Sequence, residues 1–268
     1  MNILTLFSAF TWSRTFRHIT LLLIFIVMRP SISFASLPSD SIQVPDTLKF
    51  AGFEWLIKDS HEHRTGPGTN LFSSSTDNVR VDEEGKLHLR ITYRNDNWYC
   101  PEIHSVKSLG FGKYTFVVDA LPQELDKDVV IGMFLYDHTD KANFHNEVDI
   151  EISKWGKTEY ANTQYVVQPL EEKAHRFETD VTKQSHHTFN VYLRRTSYSS
   201  YYPGDSVSKF KPIKYAHHKQ SLGRIYNPAN AKTCINVWLY KAIEPANLKE
   251  FEVVISKFVF EPFEIPNP

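Results

Sequence analysis

From about residue 46 to the C-terminus, apolar and polar side chains alternate at a period of two, with turn-forming residues between the runs. Successive side chains of a strand point to opposite faces, so this alternation predicts half-buried strands. Val79-Arg80-Val81-Asp82, the turn Glu83-Glu84-Gly85 and the run from Lys86 to Thr92 predict a hairpin. Further strands are predicted over Tyr114–Asp119, Val129–Tyr136, Glu147–Ser153, Asn162–Gln168, Thr188–Arg194, Cys234–Lys241 and Glu252–Phe260. No long stretch carries the 3.6-residue period of an amphipathic helix. Many strands without helices predict an all-β, two-sheet sandwich of the jelly-roll kind, in one domain over residues 36–268. The segment Ser197–Asn230, with its tyrosines, prolines and a His217-His218 pair, is the least regular and reads as a long loop.

The N-terminus has a different pattern. Arg14, Arg17 and His18 precede an apolar run, Ile19 to Met28, and the small-residue site Ser33-Phe34-Ala35 follows. That layout predicts a secretory signal peptide over residues 1–35, cleaved after Ala35, and hence a secreted or periplasmic protein. An uncleaved membrane anchor is the alternative, although the apolar run is short for a bilayer span. For an exported chain, Cys100 and Cys234 are expected either to pair or to stand as two free buried thiols.

The chain has 268 residues, 23% of them charged, and a formal net charge of −1. Nothing in that balance attracts a polyanion, and no nucleic-acid partner is expected. Aromatics are abundant, with 19 Phe, 13 Tyr and 5 Trp. They can fill a wide core or line a groove that stacks on sugar rings. No Gly-x-Ser-x-Gly elbow, phosphate loop or dinucleotide fingerprint occurs, and no cofactor is expected. His61-Glu62-His63 has no third ligand at a metal-binding spacing, so no metal is expected there.

The main chemical signal is Glu147-Val148-Asp149-Ile150-Glu151-Ile152. On a strand, Val148, Ile150 and Ile152 face the core, and Glu147, Asp149 and Glu151 share the opposite face. Like charges on one face repel, so such a cluster points to chemistry rather than stability. The two Glu Cα atoms are about 13 Å apart along a strand. With each arm reaching about 4 Å, the carboxyls can close to about 5–6 Å. Retaining glycosidases hold a nucleophile and an acid/base about 5–5.5 Å apart, whereas inverting ones need roughly 6.5–9.5 Å. Asp149 between them favours protonation of its neighbours, and the set should titrate together. The alternative on these residues alone is a solvated acidic strand or a calcium-binding edge.

Neighbouring strands repeat one design. Met133 and Leu135 face the core and leave Phe134 and Tyr136 opposite. Ile235 and Val237 do the same for Asn236, Trp238 and Tyr240. Gln164, Val166 and Gln168 share a face, as do Glu102 and His104. On a curved sheet these side chains would form a groove of carboxylates, amides and aromatic plates.

With these residues in order, the sequence resembles glycoside hydrolase family 16, which includes laminarinases and lichenases. The resemblance rests on the E-x-D-x-E strand, on Val130 to Tyr136 leading into Asn146 to Ile152, and on Ser185-His186-His187-Thr188-Phe189. Ile235-Asn236-Val237-Trp238 and Ser108 to Tyr114 complete it, so that it runs from roughly residue 98 to 260. It implies a concanavalin-like jelly roll with a concave cleft, and a monomer acting on a β-linked polysaccharide by retention. It implies Glu147 as nucleophile, Glu151 as general acid/base and Asp149 as their assistant. It places Glu102, Phe134, Tyr136, Gln164, Asn236 and Trp238 in the cleft. A transglycosylase or a non-catalytic glycan binder on the same scaffold is the alternative. The chain departs from the lichenase pattern at His104, Asn146, Val166, Gln168 and Leu239. Trp155 could cap a subsite or anchor a turn.

Overall fold

Among the described residues there are seventeen strands, and their alternation matches the sequence pattern. They are β1 (Thr47–Phe50), β2 (Phe53–Ile57), β3 (Leu71–Phe72), β4 (Val79–Val81), β5 (Leu87–Arg94), β6 (Asn97–Cys100), β7 (Glu102–Ser105), β8 (Gly112–Ala120) and β9 (Val129–Tyr136). There follow β10 (Val148–Ser153), β11 (Thr163–Val167), β12 (Arg176–Thr179), β13 (His187–Arg194), β14 (Ser197–Tyr202), β15 (Ile213–Lys214), β16 (Lys232–Leu239) and β17 (Phe251–Pro262). The computed structural model describes residues 46–120, 125–142, 144–158, 163–168, 176–179, 187–194, 197–202, 213–214 and 228–263. The expected leader, residues 1–35, lies outside them, as do Ser185, His186 and the His217-His218 pair. Residues 43–268 form one unit.

The strands build two sheets. The first runs β1-β2-β7-β16-β9-β10-β11-β12 and the second β15-β14-β13-β8-β17-β5-β6-β3, with β4 added beside β5. Pairing is antiparallel except between β3 and β6, which are parallel. The core lies between the sheets. Val148, Ile150, Ile152, Ile131, Met133, Leu135, Ile235 and Val237 enter it from the first sheet. Leu87, Leu89, Ile91, Phe116, Val118, Val253, Ile255 and Phe258 enter it from the second. Trp55 on β2 meets Phe258 on β17 edge-on at 5.3 Å, which ties the two sheets together. Register shifts in β17 on either side of Ile255 change its alternation, so odd-numbered Val253 and Ile255 and even-numbered Phe258 all reach the core.

Several predicted boundaries move. Val79–Val81 pairs with Leu87–Leu89 as expected. The strand expected from Cys234 to Lys241 begins at Lys232 and stops at Leu239, because Lys241 and Ala242 take φ of 55°, incompatible with a ladder. Ser197–Tyr202, expected in a long loop, is a strand paired to β13. Tyrosine favours a pleated strand, a preference hidden in the sequence by the irregular composition of the longer segment. Glu147 lies one residue before β10 rather than inside it.

Candidate active site

Register across the first sheet places the polar face in transverse rows. Glu102, Asn236, Gly132, Glu151 and Gln164 are successive Cα partners across β7, β16, β9, β10 and β11. The next row is His104, Cys234, Phe134, Asp149 and Val166. Glu147 precedes the Val148–Leu135 pair and so stands beside Tyr136. Strands about 4.8 Å apart make neighbours in a row touch.

These rows floor one cavity of about 400 Å³. Glu102, Phe134, Tyr136, Glu147, Asp149, Glu151, Asn236 and Trp238 line it, together with Lys58, Gly66, Pro67, Gly132 and His138. Gln164, expected in the cleft, does not line the cavity. It is buried beside the cavity, where its Nε2 donates to Glu151 Oε2 at 2.6 Å. Lys58, Gly132 and His138 were not singled out in the sequence. Gly132 carried a signal, since a glycine inside a strand marks a close approach. A Cβ there would lie 2.5 Å from Asn236 Oδ1. Lys58 and His138 sit just beyond strand ends, where alternation says nothing about direction.

Asp149 and Glu147 are held by the residue that follows β11. Gln168 Nε2 donates to Asp149 Oδ2 at 3.3 Å, and the Gln168 main-chain N–H donates to Glu147 O at 3.2 Å. Asp149 is 4% exposed and hydrogen bonds to Glu147. Burial pushes the Glu147 carboxyl up to about 7, the Glu151 charge adds to this, and the bond from Asp149 opposes it. Burial also raises Asp149 well above the ordinary carboxylate range, followed by the charges of Glu147 and Glu151. The set can therefore hold protons near neutral pH, as general acid/base work requires.

Glu147 enters from an unusual turn. Phe144, His145 and Asn146 all adopt left-handed conformations, with φ of 49°, 56° and 46°. Such backbone is costly for non-glycine residues and needs surrounding bonds to hold it. Asn146 Nδ2 donates to Asp140 Oδ2 at 2.9 Å, the His145 N–H donates to Asp140 O at 2.7 Å, and the Asp137 N–H donates to His145 O at 2.7 Å. The His145 ring stacks on Tyr136 with centroids 4.4 Å apart.

On the opposite flank, Lys58 Nζ pairs with Glu102 Oε1 at 3.1 Å, and Asn236 Nδ2 donates to Glu102 Oε2 at 3.1 Å. Asn236 Oδ1, in a residue 2% exposed, has no hydrogen-bond partner among the described residues and faces the space above Gly132. His104 and His138 meet at 5.5 Å, and His138 meets Tyr136 at 4.8 Å. Burial lowers His104 to about 4 and also lowers His138. Trp155 packs edge-on against Trp238 at 6.1 Å and Tyr240 at 5.5 Å, so it anchors the turn behind the cavity wall. Cys100 and Cys234 are free and buried, and burial pushes the Cys100 thiol up to about 12. Among the described residues no group of three or more His, Cys, Asp or Glu side chains is arranged to hold a metal.

Comparison with known proteins adds three findings. The sequence pattern of "Glycosyl hydrolases family 16" matches residues 68–248. No curated protein matches the sequence. Among solved structures, the β-glucanase of Bacillus licheniformis is 16% identical with a TM-score of 0.53, over 78% of this chain and 92% of that one. A β-1,3-1,4-glucanase (lichenase) from a mouse hindgut metagenome is 14% identical with a TM-score of 0.54, over 78% and 93%. An immunostimulatory antigen and pseudo β-1,3-glucanase of Mycobacterium tuberculosis is 15% identical with a TM-score of 0.54, over 77% and 89%. At these identities the likeness establishes a shared sandwich fold.

Proposed function

The chain belongs to glycosyl hydrolases family 16, and from that membership we propose that it hydrolyses a β-linked polysaccharide by a retaining double displacement. The observation that carries the reading is the gathering of Glu147, Asp149 and Glu151 on the floor of one cavity walled by Phe134, Tyr136 and Trp238. Glu147 attacks the anomeric carbon while Glu151 protonates the departing oxygen. Glu151 then takes a proton from the water that releases the sugar. Asp149 donates a hydrogen bond to Glu147 and so favours its ionised form. Asn236 Oδ1 accepts from a sugar hydroxyl above Gly132, and the aromatic walls cover the CH faces of the rings.

One structural neighbour is described as a pseudo β-1,3-glucanase, which keeps a second reading in play: a glycan binder without turnover. A panel of β-glucans and other β-linked polysaccharides, assayed for new reducing ends with wild type and Glu147→Ala, separates the two. Release by wild type alone supports hydrolysis. Binding with no release from any member of the panel would favour the binder.

Export is part of the same proposal. Arg14, Arg17, the apolar run and Ser33-Phe34-Ala35 support a leader ending at Ala35. N-terminal sequencing of the mature protein should begin at Ser36, and an intact Met1 on membrane-bound protein would contradict it.

A further inference from the structure

Glu147 stands just outside the ladder that begins at Val148, so strand pairing does not aim its side chain. Two main-chain bonds hold it. Its N–H donates to Phe144 O at 3.2 Å, and its carbonyl accepts from the Gln168 N–H at 3.2 Å. The first of these runs back into the turn. The direction in which the carboxyl enters the cavity is therefore set by the turn that precedes it.

Phe144, His145 and Asn146 are left-handed in succession, and none of them is glycine. Each such φ crowds an L side chain against the following carbonyl, so a run of three needs an external hold. Asp140 supplies it twice. Its main-chain carbonyl accepts from the His145 N–H at 2.7 Å, and its carboxylate Oδ2 accepts from Asn146 Nδ2 at 2.9 Å. A bond to a carboxylate is stronger than one between neutral groups, and at Asn146, 1% exposed, water does not compete for it. Asn is also among the few residue types enriched in the left-handed region.

We infer that Asn146 is a positioning residue: its side-chain bond to Asp140 locks the left-handed turn and so sets the direction in which Glu147 enters the cavity. The inference rests on the reading of Glu147 as nucleophile. Asn146 is not among the residues that line the cavity, so it acts through the main chain of its neighbour. A relaxed turn leaves Glu147 present but misplaced, and a misplacement of about 1 Å costs about 100-fold in rate.

The test separates the side chain from the backbone. Asn146→Gly permits the same φ and removes the bond. On a β-glucan that the wild type cleaves, its kcat should fall by about 100-fold with KM little changed. Asn146→Asp should lose as much, because two carboxylates then face each other. Asn146→Asp combined with Asp140→Asn exchanges donor and acceptor, remakes the bond and should recover most of the lost kcat. A ¹³C NMR titration of the Glu147 carboxyl in the whole protein needs no substrate. Burial holds that carboxyl at about 7, and in Asn146→Gly its midpoint should fall toward 4.5 by about one pH unit or more, as the group turns to water. An unmoved midpoint in a cooperatively folded Asn146→Gly overturns the inference even if the protein cleaves glucan. A folded exchanged pair that stays as slow as Asn146→Asp overturns it too. A lowered midpoint in a protein that cleaves no glycan upholds the inference and counts against the hydrolase reading instead.

Discussion

Gln164 on β11 lies directly across from Glu151 on β10, and its Nε2 donates to Glu151 Oε2 at 2.6 Å. The bond fixes the rotamer of the side chain assigned to protonate the leaving group. A hydrogen bond to a charged group contributes about 1.5–3 kcal/mol.

Gln164→Met should therefore lower kcat on a natural β-glycan by about 10- to 100-fold. The loss should be smaller on an aryl glycoside with an activated leaving group, which needs less protonation. Steady-state kinetics on the two substrates checks this. Equal losses on both would assign Gln164 to general folding instead of to the acid.

Gly132 leaves the space that Asn236 Oδ1 faces. A Cβ at that position would stand 2.5 Å from the oxygen, closer than side chains tolerate. Gly132→Ala must push Asn236 off Glu102 or close the cavity floor. KM should rise more than kcat falls, and the melting temperature should drop in line with an overpacking cost of about 1–3 kcal/mol. Unchanged KM would remove the sugar contact proposed for Asn236.

The buried Glu147 carboxyl gives stability a definite pH dependence. Its value is raised from 4.5 to about 7. The folded state thus holds this proton more tightly than the unfolded chain does. The contribution is fully present below about 4.5 and is lost as pH rises toward about 7. Asp149, raised in the same direction, adds to the slope. Glu147→Gln should flatten the fall and be more stable than wild type at pH 8, by up to about 3 kcal/mol. Urea unfolding at several pH values from 4.5 to 8 measures it, and parallel curves for the two proteins would contradict it.

The acidic strand was legible because strand parity is strict: with Val148, Ile150 and Ile152 inside, Glu147, Asp149 and Glu151 had to face out together. The same rule placed Phe134 and Tyr136, and Asn236 and Trp238, on the cavity wall. It could not place Gln164 behind Glu151, or send Gln168 diagonally to Asp149. Those depend on the register between β10 and β11, which alternation leaves open. Lys58 and His138 lie beyond the last paired residues of their strands, where the rule no longer applies. The left-handed turn at Phe144-His145-Asn146 was hidden for another reason. It contains no glycine, and bonds to Asp137 and Asp140 hold it in place of local preference.

The two carboxylates proposed to do the chemistry are distinguished by what their loss leaves behind. Glu147→Ala removes the proposed nucleophile and should abolish hydrolysis while the melting curve remains cooperative. Glu151→Ala leaves the nucleophile but no acid, so natural substrates should be cleaved hardly at all. An activated aryl glycoside should still form the glycosyl-enzyme in that variant. Water then lacks its base and the intermediate accumulates. Azide needs no base, so it should accelerate turnover of Glu151→Ala and give a β-glycosyl azide of retained configuration. Asp149→Asn should fall between the two, with a displaced pH profile, because its amide still reaches Glu147 and Gln168 but exchanges no proton. Product configuration by NMR decides the assignment. An azide product of inverted configuration from Glu151→Ala would exchange the roles of the two glutamates. Full activity of Glu147→Ala on a verified substrate would remove this strand from the chemistry altogether.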